Sequence, residues 1–179
     1  MYYTTRYESM LGSMILASDG SKLVGLWYEG QKYFAATLDG NVAEKAELSI
    51  FAETKNWLCA YFAGKKPAIS ELPLAPSGNA FRQSVWGKLC EIPYGTCITY
   101  SSIAKDSAKV MNKKSMSSQA IGGAVGHNPI SVIIPCHRVV GSKGNLTGYA
   151  GGIDKKIKLL AHEGVDTSKL SIPGKGTAL

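Results

Sequence analysis

The sequence has no long apolar run. Its 179 residues are 45% hydrophobic, but no stretch reaches the roughly 18 consecutive apolar residues that a transmembrane helix needs. Gly12 and Ser13 interrupt the apolar residues near the N-terminus, whereas a secretory signal has a longer unbroken apolar core. We therefore expect a mature chain that begins at Met1, has no membrane partner and stays in the cytoplasm.

Cysteine and histidine are scarce, and their spacing fits neither a disulfide framework nor a metal site. The four cysteines include no CxxC pair, and the three histidines lack the HxxxH or HExxH spacing that puts two ligands on one helix face. We expect reduced thiols, with Cys59, Cys90 and Cys97 in the core. The GKGT segment lacks the spacing of a phosphate-binding loop. We expect neither a metal nor a cofactor.

Positive charge is concentrated in the second part of the chain. Residues 1–80 contain seven Lys or Arg and eight Asp or Glu, a net charge of −1, whereas residues 81–179 contain thirteen and five, a net charge of +8. This division favours a polyanionic partner for the second part. A basic surface without a ligand would have the same composition, so charge alone leaves both interpretations open.

Residues 1–64 are predicted to form a small domain of strands followed by a helix. Two β-rich runs, Ser13–Leu16 and Leu23–Tyr28, flank an Asp-Gly pair that is typical of a hairpin. Aromatic and aliphatic residues at three- and four-residue spacing predict a helix over 43–63. The aromatic stripe of this helix is typical of core packing.

The remaining chain predicts a linker, a helical domain and a tail. Residues 65–79 contain three prolines and little periodicity, which is typical of a linker. Residues 80–164 predict helix, turn, a short helix over 103–108, a basic loop and a third helix that ends near residue 126. This order is typical of a helix-turn-helix. Residues 165–179 lack periodicity, and we expect them to be a flexible tail.

The third helix contains two adjacent glycines, Gly122 and Gly123. Each glycine costs roughly 1 kcal/mol relative to alanine in a helix interior. Small residues allow close approach of another surface, either a neighbouring helix or the minor groove of DNA, which is only about 6 Å wide. Both interpretations stay open at this point.

The candidate nucleophile, Cys136, follows the apolar run Ile130–Ile134. This run predicts a buried strand that stops at Pro135. A nucleophilic cysteine needs its thiolate, and the imidazole and guanidinium next to Cys136 in the sequence would favour that anion. Adjacent strand residues point to opposite faces, so His137 would reach the sulfur through a backbone bend or a bridging water, and we favour the water. A buried inert thiol is the alternative.

The segment IPCHRVVG resembles the active-site signature of the O6-alkylguanine-DNA alkyltransferases, also called methylated-DNA–protein-cysteine methyltransferases. The segments FRQSVWGKLCEIPYGTCITYSSIA, QAIGGAVGHNPISVIIPCHRVVG and LTGYAGGIDKKIKLLAHEG are also similar to family segments, in the same order, and cover about residues 80–164. Residues 1–64 are similar only loosely. The resemblance implies an α/β (α+β) fold, with a ribonuclease H-like N-terminal domain before a winged helix-turn-helix-like alkyltransferase domain.

The resemblance implies a role for each residue around the cysteine. Cys136 would be the acceptor nucleophile, and His137 would take its proton through a water. Glu163 would orient and polarise the imidazole. Asn128 would tie the preceding turn to this network, and Tyr100 would donate to the guanine ring as charge develops on it.

A substrate pocket is implied in the same way. The main chain of Cys136 and Val139 would accept from the guanine amino group. Tyr149 and the backbone of Ala150 would wall the alkyl pocket, and Lys156 would lie near the site.

The resemblance also implies a surface for double-stranded DNA, formed by Gln119, Ala120, Gly122, Gly123, Arg138, Lys113 and Lys114. Gln119 stands where the family commonly carries an arginine that fills the gap left by the flipped base. Glutamine brings no charge and less stacking area, so we expect weaker DNA binding or slower flipping without loss of chemistry.

The implied function is DNA repair by a monomer that moves an alkyl group irreversibly and stoichiometrically from O6-alkylguanine to Cys136. The base must leave the duplex, because a nucleophile cannot reach O6 inside the stack. A lesion-binding relative would lack this cysteine, and a methylation sensor would need a further regulatory domain. A cysteine hydrolase would need an oxyanion hole and would leave the basic helix-turn-helix unexplained.

Overall fold

The computed structural model describes residues 1–172, which begin with a four-stranded sheet and a helix. The strands run in the order β3-β2-β1-β4, with bounds β1 (Tyr2–Ser9), β2 (Gly12–Ser18), β3 (Leu23–Tyr28) and β4 (Val42–Glu44). The hairpin between β2 and β3 confirms the predicted strands. The predicted helix over 43–63 is shorter, because residues 42–44 pair in parallel with β1, and α1 is Ser49–Phe62.

Four further helices and a two-stranded parallel sheet form the second part. The elements are α2 (Ala80–Cys90), β5 (Ile98–Thr99), α3 (Tyr100–Val110), α4 (Ser118–Gly126), β6 (Val139–Val140) and α5 (Ile153–His162). Side chains of Asn79, Thr99 and Ser117 cap the first turns of α2, α3 and α4 by accepting from backbone amides. The mixed α/β fold confirms the predicted fold class. Within residues 1–172, no helix is both long enough and apolar enough to cross a membrane.

The run Ile130–Ile134 is buried but is not a strand, so that prediction was wrong. Ile130 forms one isolated bridge with Leu26, and the chain then turns at Val132, which has a positive φ of 71°. A 3-10 turn over Cys136–Arg138 follows. A short apolar run indicates that the segment is buried, but it does not distinguish a strand from a buried turn.

One hydrophobic core passes through both parts of the chain. Besides the Leu26–Ile130 bridge, the indole of Trp86 on α2 donates to the carbonyl of Ala124 on α4 at 2.9 Å. The segment predicted as a linker lies against β3, where Leu74 pairs with Leu23. The active-site turn is therefore held from the sheet side as well as from the helices.

Two predictions about the periphery differ from the structure. Residues 165–172 contain a 3-10 turn and pair at Ser171 with Asn145, so this part is not a free tail, and residues 173–179 lie outside the described residues. Cys59 is exposed, and Cys90 and Cys97 are half-buried. The prediction of three core thiols was wrong for Cys59, whose position on α1 faces away from the core.

Candidate active site

Cys136 begins the 3-10 turn and is 5% exposed. The amide of Asn128 donates to the carbonyl of Ile134 at 2.8 Å and contacts the sulfur of Cys136 at 3.1 Å. Its Oδ1 accepts from the backbone amide of Ile130 at 3.0 Å. One buried side chain thus fixes both ends of the segment 130–134 and places an amide donor against the sulfur.

A buried carboxylate organises the residues that follow the cysteine. Glu163 Oε1 accepts from His137 Nε2 at 2.8 Å and from Arg138 Nη2 at 3.0 Å. Oε2 accepts from Arg138 Nε at 2.8 Å and from the amide of Gly95 at 3.0 Å. The hydroxyl of Tyr61 donates to Oε1 at 2.7 Å. We call these five residues the Glu163 cluster.

Within this cluster Arg138 points inward, so the structure does not support its predicted role in DNA binding, which stays a prediction. The residue is 6% exposed, and its remaining amino group donates to the carbonyl of Ile92 at 2.6 Å. A buried guanidinium needs a counter-ion and bonded N–H groups. Glu163 and Ile92 supply these, which directs the side chain inward.

Burial favours the neutral forms of Cys136 and His137. It raises the pKa of the Cys136 thiol, against the smaller effects of the Asn128 amide and the charge of Lys156. Burial likewise lowers the pKa of His137, although Glu163 opposes the shift. The guanidinium of Arg138 pairs with Glu163 instead of the sulfur, so the structure does not favour the expectation that it helps to hold the sulfur ionised.

Within residues 1–172, one imidazole nitrogen of His137 has a hydrogen-bond partner and the other has none. Nε2 lies against the carboxylate of Glu163, which can only accept, so Nε2 carries the proton of the neutral ring. Nδ1 is buried without a hydrogen-bond partner among residues 1–172. This nitrogen is the free basic atom of the site.

Cys136 lines a cavity with a volume of about 30 Å³, room for about two water molecules. The predicted site residues Tyr100, Gly122, Gly123, Tyr149 and Ala150 also line it. Lys32 and Tyr33, from the loop after β3, close one side, where the amide of Lys32 donates to the carbonyl of Ala150 at 3.1 Å. The ring of Tyr33 stacks on His127 at a centroid distance of 3.9 Å.

Lys156 lies beneath the pocket and is fully buried. Its ammonium donates to the carbonyls of Val139 at 2.6 Å and Thr147 at 3.1 Å. Burial lowers the pKa of Lys156 to about 8. The lysine joins the strand after the cysteine to the loop that carries Tyr149.

The remaining residues predicted to contact DNA lie on and before α4. Gln119 and Ala120 are exposed on its first turns, and Lys113 and Lys114 are exposed in the preceding loop. A Cβ added to Gly123 would meet no atom within 4 Å in the described part of the chain. Packing within the protein therefore does not require glycine there.

Four residues at the site have no functional signal in the sequence: Tyr61, Lys32, Tyr33 and His127. Tyr61 lies 102 positions from Glu163 along the chain, and its spacing on α1 indicates only core packing. No local pattern separates such a tyrosine from its aromatic neighbours.

Comparison with known proteins gives one consistent result. Residues 1–76 match the ribonuclease-like domain of the 6-O-methylguanine DNA methyltransferase family, and residues 80–165 match its DNA binding domain. A methylated-DNA–protein-cysteine methyltransferase of Haemophilus influenzae is 37% identical over 175 residues, 98% of this chain and 90% of that protein. One from Methanosarcina acetivorans is 43% identical over 166 residues, covering 92% and 99%.

Solved structures agree with this match. The O6-methylguanine methyltransferase of Mycobacterium tuberculosis is 35% identical with a TM-score of 0.75, over 98% of this chain and 97% of that one. The Mycobacterium tuberculosis OGT in complex with DNA is 36% identical, also with a TM-score of 0.75, over 94% of each chain.

We predict that Glu163→Gln lowers the free energy of unfolding at neutral pH by about 3–5 kcal/mol, because it leaves the buried guanidinium of Arg138 without its counter-ion. The variant should also lose part of the acid sensitivity of the wild type. Burial raises the pKa of Glu163, but hydrogen bonds from His137 and Arg138 outweigh it and lower that pKa well below its usual range. The carboxylate therefore stabilises the fold above about pH 4.3 and less as the pH falls below that value.

Urea denaturation between pH 7 and about pH 2 measures both effects, because the Glu163 contribution is lost only below about pH 4.3. The lowered pKa of His137 acts in the same direction, since the unfolded imidazole takes up a proton below about pH 6.5. Asp106→Asn is the control, because Asp106 pairs with Lys109 on the surface and its side chain is 55% exposed. An acid dependence in Glu163→Gln as steep as that of the wild type would contradict the assignment.

Proposed function

The chain belongs to the 6-O-methylguanine DNA methyltransferase family, and we propose that it repairs O6-alkylguanine in double-stranded DNA by moving the alkyl group to Cys136. It is an enzyme of the methylated-DNA–protein-cysteine methyltransferase class. The observation that supports Cys136 as acceptor is its place in the lining of a cavity beside α4, with His137, the next residue of the same buried turn, hydrogen-bonded to Glu163 at the end of α5. Cytoplasmic location and a monomeric state stay predictions.

The chemistry begins with proton removal from a neutral thiol. The proton of Cys136 passes through a water to Nδ1 of His137, the free nitrogen, and the imidazolium is stabilised by Glu163. The sulfur then attacks the alkyl carbon, so a carbon–sulfur bond forms as the carbon–O6 bond breaks. The electron pair stays on the guanine, where the hydroxyl of Tyr100 donates to the ring.

The product is a thioether at Cys136. Thioether sulfur is a poor leaving group. The proposed reaction uses one cysteine–histidine–glutamate set and assigns no second nucleophile that could remove the alkyl group from the sulfur. Each protein molecule therefore repairs one lesion, and the reaction consumes the protein without a metal or cofactor.

The target base enters by leaving the DNA stack. A cavity of about 30 Å³ is too small for a purine, so its walls separate when the base arrives. In the proposal α4 lies in the minor groove, where its glycines permit close approach and Gln119 faces the orphaned cytosine. Lys113 and Lys114, exposed before α4, add charge toward the phosphates.

Methyl transfer is tested by mass spectrometry after incubation with duplex DNA containing O6-methylguanine. We expect one stable methyl group on the peptide that contains Cys136, in a one-to-one ratio with lesions removed. Cys136→Ser should bind the duplex and leave the lesion in place. Methyl loss from the DNA at the native rate in that variant would refute the proposal, and turnover of an ester or peptide would favour a hydrolase.

The glycine-rich face of α4 gives a second prediction. Gly123→Ala should raise the free energy of unfolding by about 0.5–1 kcal/mol, because alanine is the better helix former and the added methyl meets open space. It should nevertheless slow methyl transfer from duplex DNA. Gly87→Ala on α2 is the matched control, since it is also in open space, and it should stabilise without slowing transfer. Equal transfer rates in both variants would remove α4 glycines from the DNA interface.

Gln119 gives a third prediction. Gln119→Arg should strengthen duplex binding by about threefold to tenfold, as one added cation at a DNA surface does, and should steepen its salt dependence. The exposed Gln83 on α2 provides the control Gln83→Arg, which adds the same charge outside α4. Binding and single-turnover rates are measured at two salt concentrations. If Gln119→Arg changes neither quantity, the interpretation of this position is wrong.

A further inference from the structure

The side chain of Tyr61 reaches from α1, in the ribonuclease-like part, into the Glu163 cluster. Its hydroxyl donates to Glu163 Oε1 at 2.7 Å, and the same oxygen accepts from His137 Nε2 at 2.8 Å. Buried hydroxyls generally have a partner. Here the partner is the carboxylate that orients the base of the proposed reaction.

The position of this hydroxyl is fixed by packing around the ring. Tyr61 is 1% exposed and stacks on Trp57 with a centroid distance of 5.6 Å and an angle of 8° between the planes. Phe62 and Tyr94 contact it edge-on at 5.2 and 6.0 Å. The carbonyl of Tyr61 also lies 2.8 Å from Nε2 of His162, next to Glu163 in the chain. The docking of α1 therefore places the hydroxyl with little freedom.

The hydroxyl acts as a donor throughout the working pH range. Burial and the neighbouring carboxylate of Glu163 raise the pKa of Tyr61 far above its usual value. A neutral phenol that donates to Oε1 takes up part of the negative charge that would otherwise be directed at His137. The strength of the Glu163–His137 hydrogen bond thus depends on a residue outside the helix-turn-helix part.

We propose that Tyr61 is a positioning residue of the methyl-transfer site: its hydroxyl holds Glu163 in place and limits how strongly the carboxylate raises the basicity of His137. The inference rests on the proposed function, because it assigns His137 as the group that takes the proton from Cys136. It gives the ribonuclease-like part a direct share in the chemistry.

Tyr61→Phe removes the hydroxyl and keeps the ring. With one donor fewer, Glu163 becomes a stronger acceptor toward His137, so the imidazole stays protonated to a higher pH and cannot accept a proton there. We expect the acid limb of the rate–pH profile for Cys136 methylation to move to higher pH. The plateau rate should fall on the order of tenfold, the loss expected when a hydrogen bond to a charged group is removed.

Tyr94→Phe is the matched control. The hydroxyl of Tyr94 donates to the carbonyl of His162 at 3.2 Å and has no hydrogen bond to Glu163. The ring of Tyr94 packs against the ring of Tyr61. This variant should keep the wild-type pH profile. Unfolding free energy and duplex affinity are measured for both, so that a stability loss is separated from a change in chemistry.

A second substitution also keeps the ring and is expected to shift the acid limb of the rate–pH profile in the opposite direction. Difluorotyrosine at position 61 has a more acidic hydroxyl and donates more strongly, so the acid limb should move to lower pH. The inference is overturned if both substitutions leave the rate–pH profile unchanged, or if Tyr94→Phe shifts it as much as Tyr61→Phe. If the wild-type protein does not methylate Cys136 at all, the proposed function fails before the question of Tyr61 arises.

Discussion

The carboxylate of Glu163 is the constraint on which the site depends. It lies at the end of α5 and accepts hydrogen bonds from the active-site turn, from α1 and from the loop before β5. A buried carboxylate needs paired charge and several donors to remain ionised. Arg138 supplies the charge, Tyr61 and the amide of Gly95 supply neutral donors, and His137 supplies the donor that chemistry can use. Loss of one of these partners therefore changes the hydrogen bonds that Glu163 makes with the others.

This arrangement explains why a cysteine that is 5% exposed can be a nucleophile. Burial disfavours the thiolate of Cys136 until a base is placed to receive the proton. In the proposed reaction His137 is that base, because Glu163 fixes its tautomer and leaves Nδ1 free. The neutral sulfur is protected from adventitious oxidation, since oxidation follows thiolate character and exposure. In the proposed reaction each molecule is used once, so protection of the thiol before transfer preserves its single use.

The sequence predicted the parts of the site that are local in the chain and missed the parts that tertiary packing creates. The resemblance around Cys136 identified His137, and the AHEG segment identified Glu163, because such motifs keep their spacing. The apolar run before the cysteine indicated burial, yet it turned at Val132 where a strand was expected. For Arg138 the resemblance implies a contact with DNA, and only the structure shows that its guanidinium pairs with the buried Glu163. Tyr61 had no local signal, since its function depends on where α1 docks.

In the proposed reaction the sulfur of Cys136 is protonated until it gives its proton to His137 during transfer. The direct test is a pH titration of the thiolate absorbance, taken as the difference between wild type and Cys136→Ser. We predict no thiolate signal from this residue at neutral pH, because burial raises the pKa of the Cys136 thiol, and ionisation only at a higher pH than for an exposed cysteine. A full thiolate signal from Cys136 at neutral pH would contradict the account.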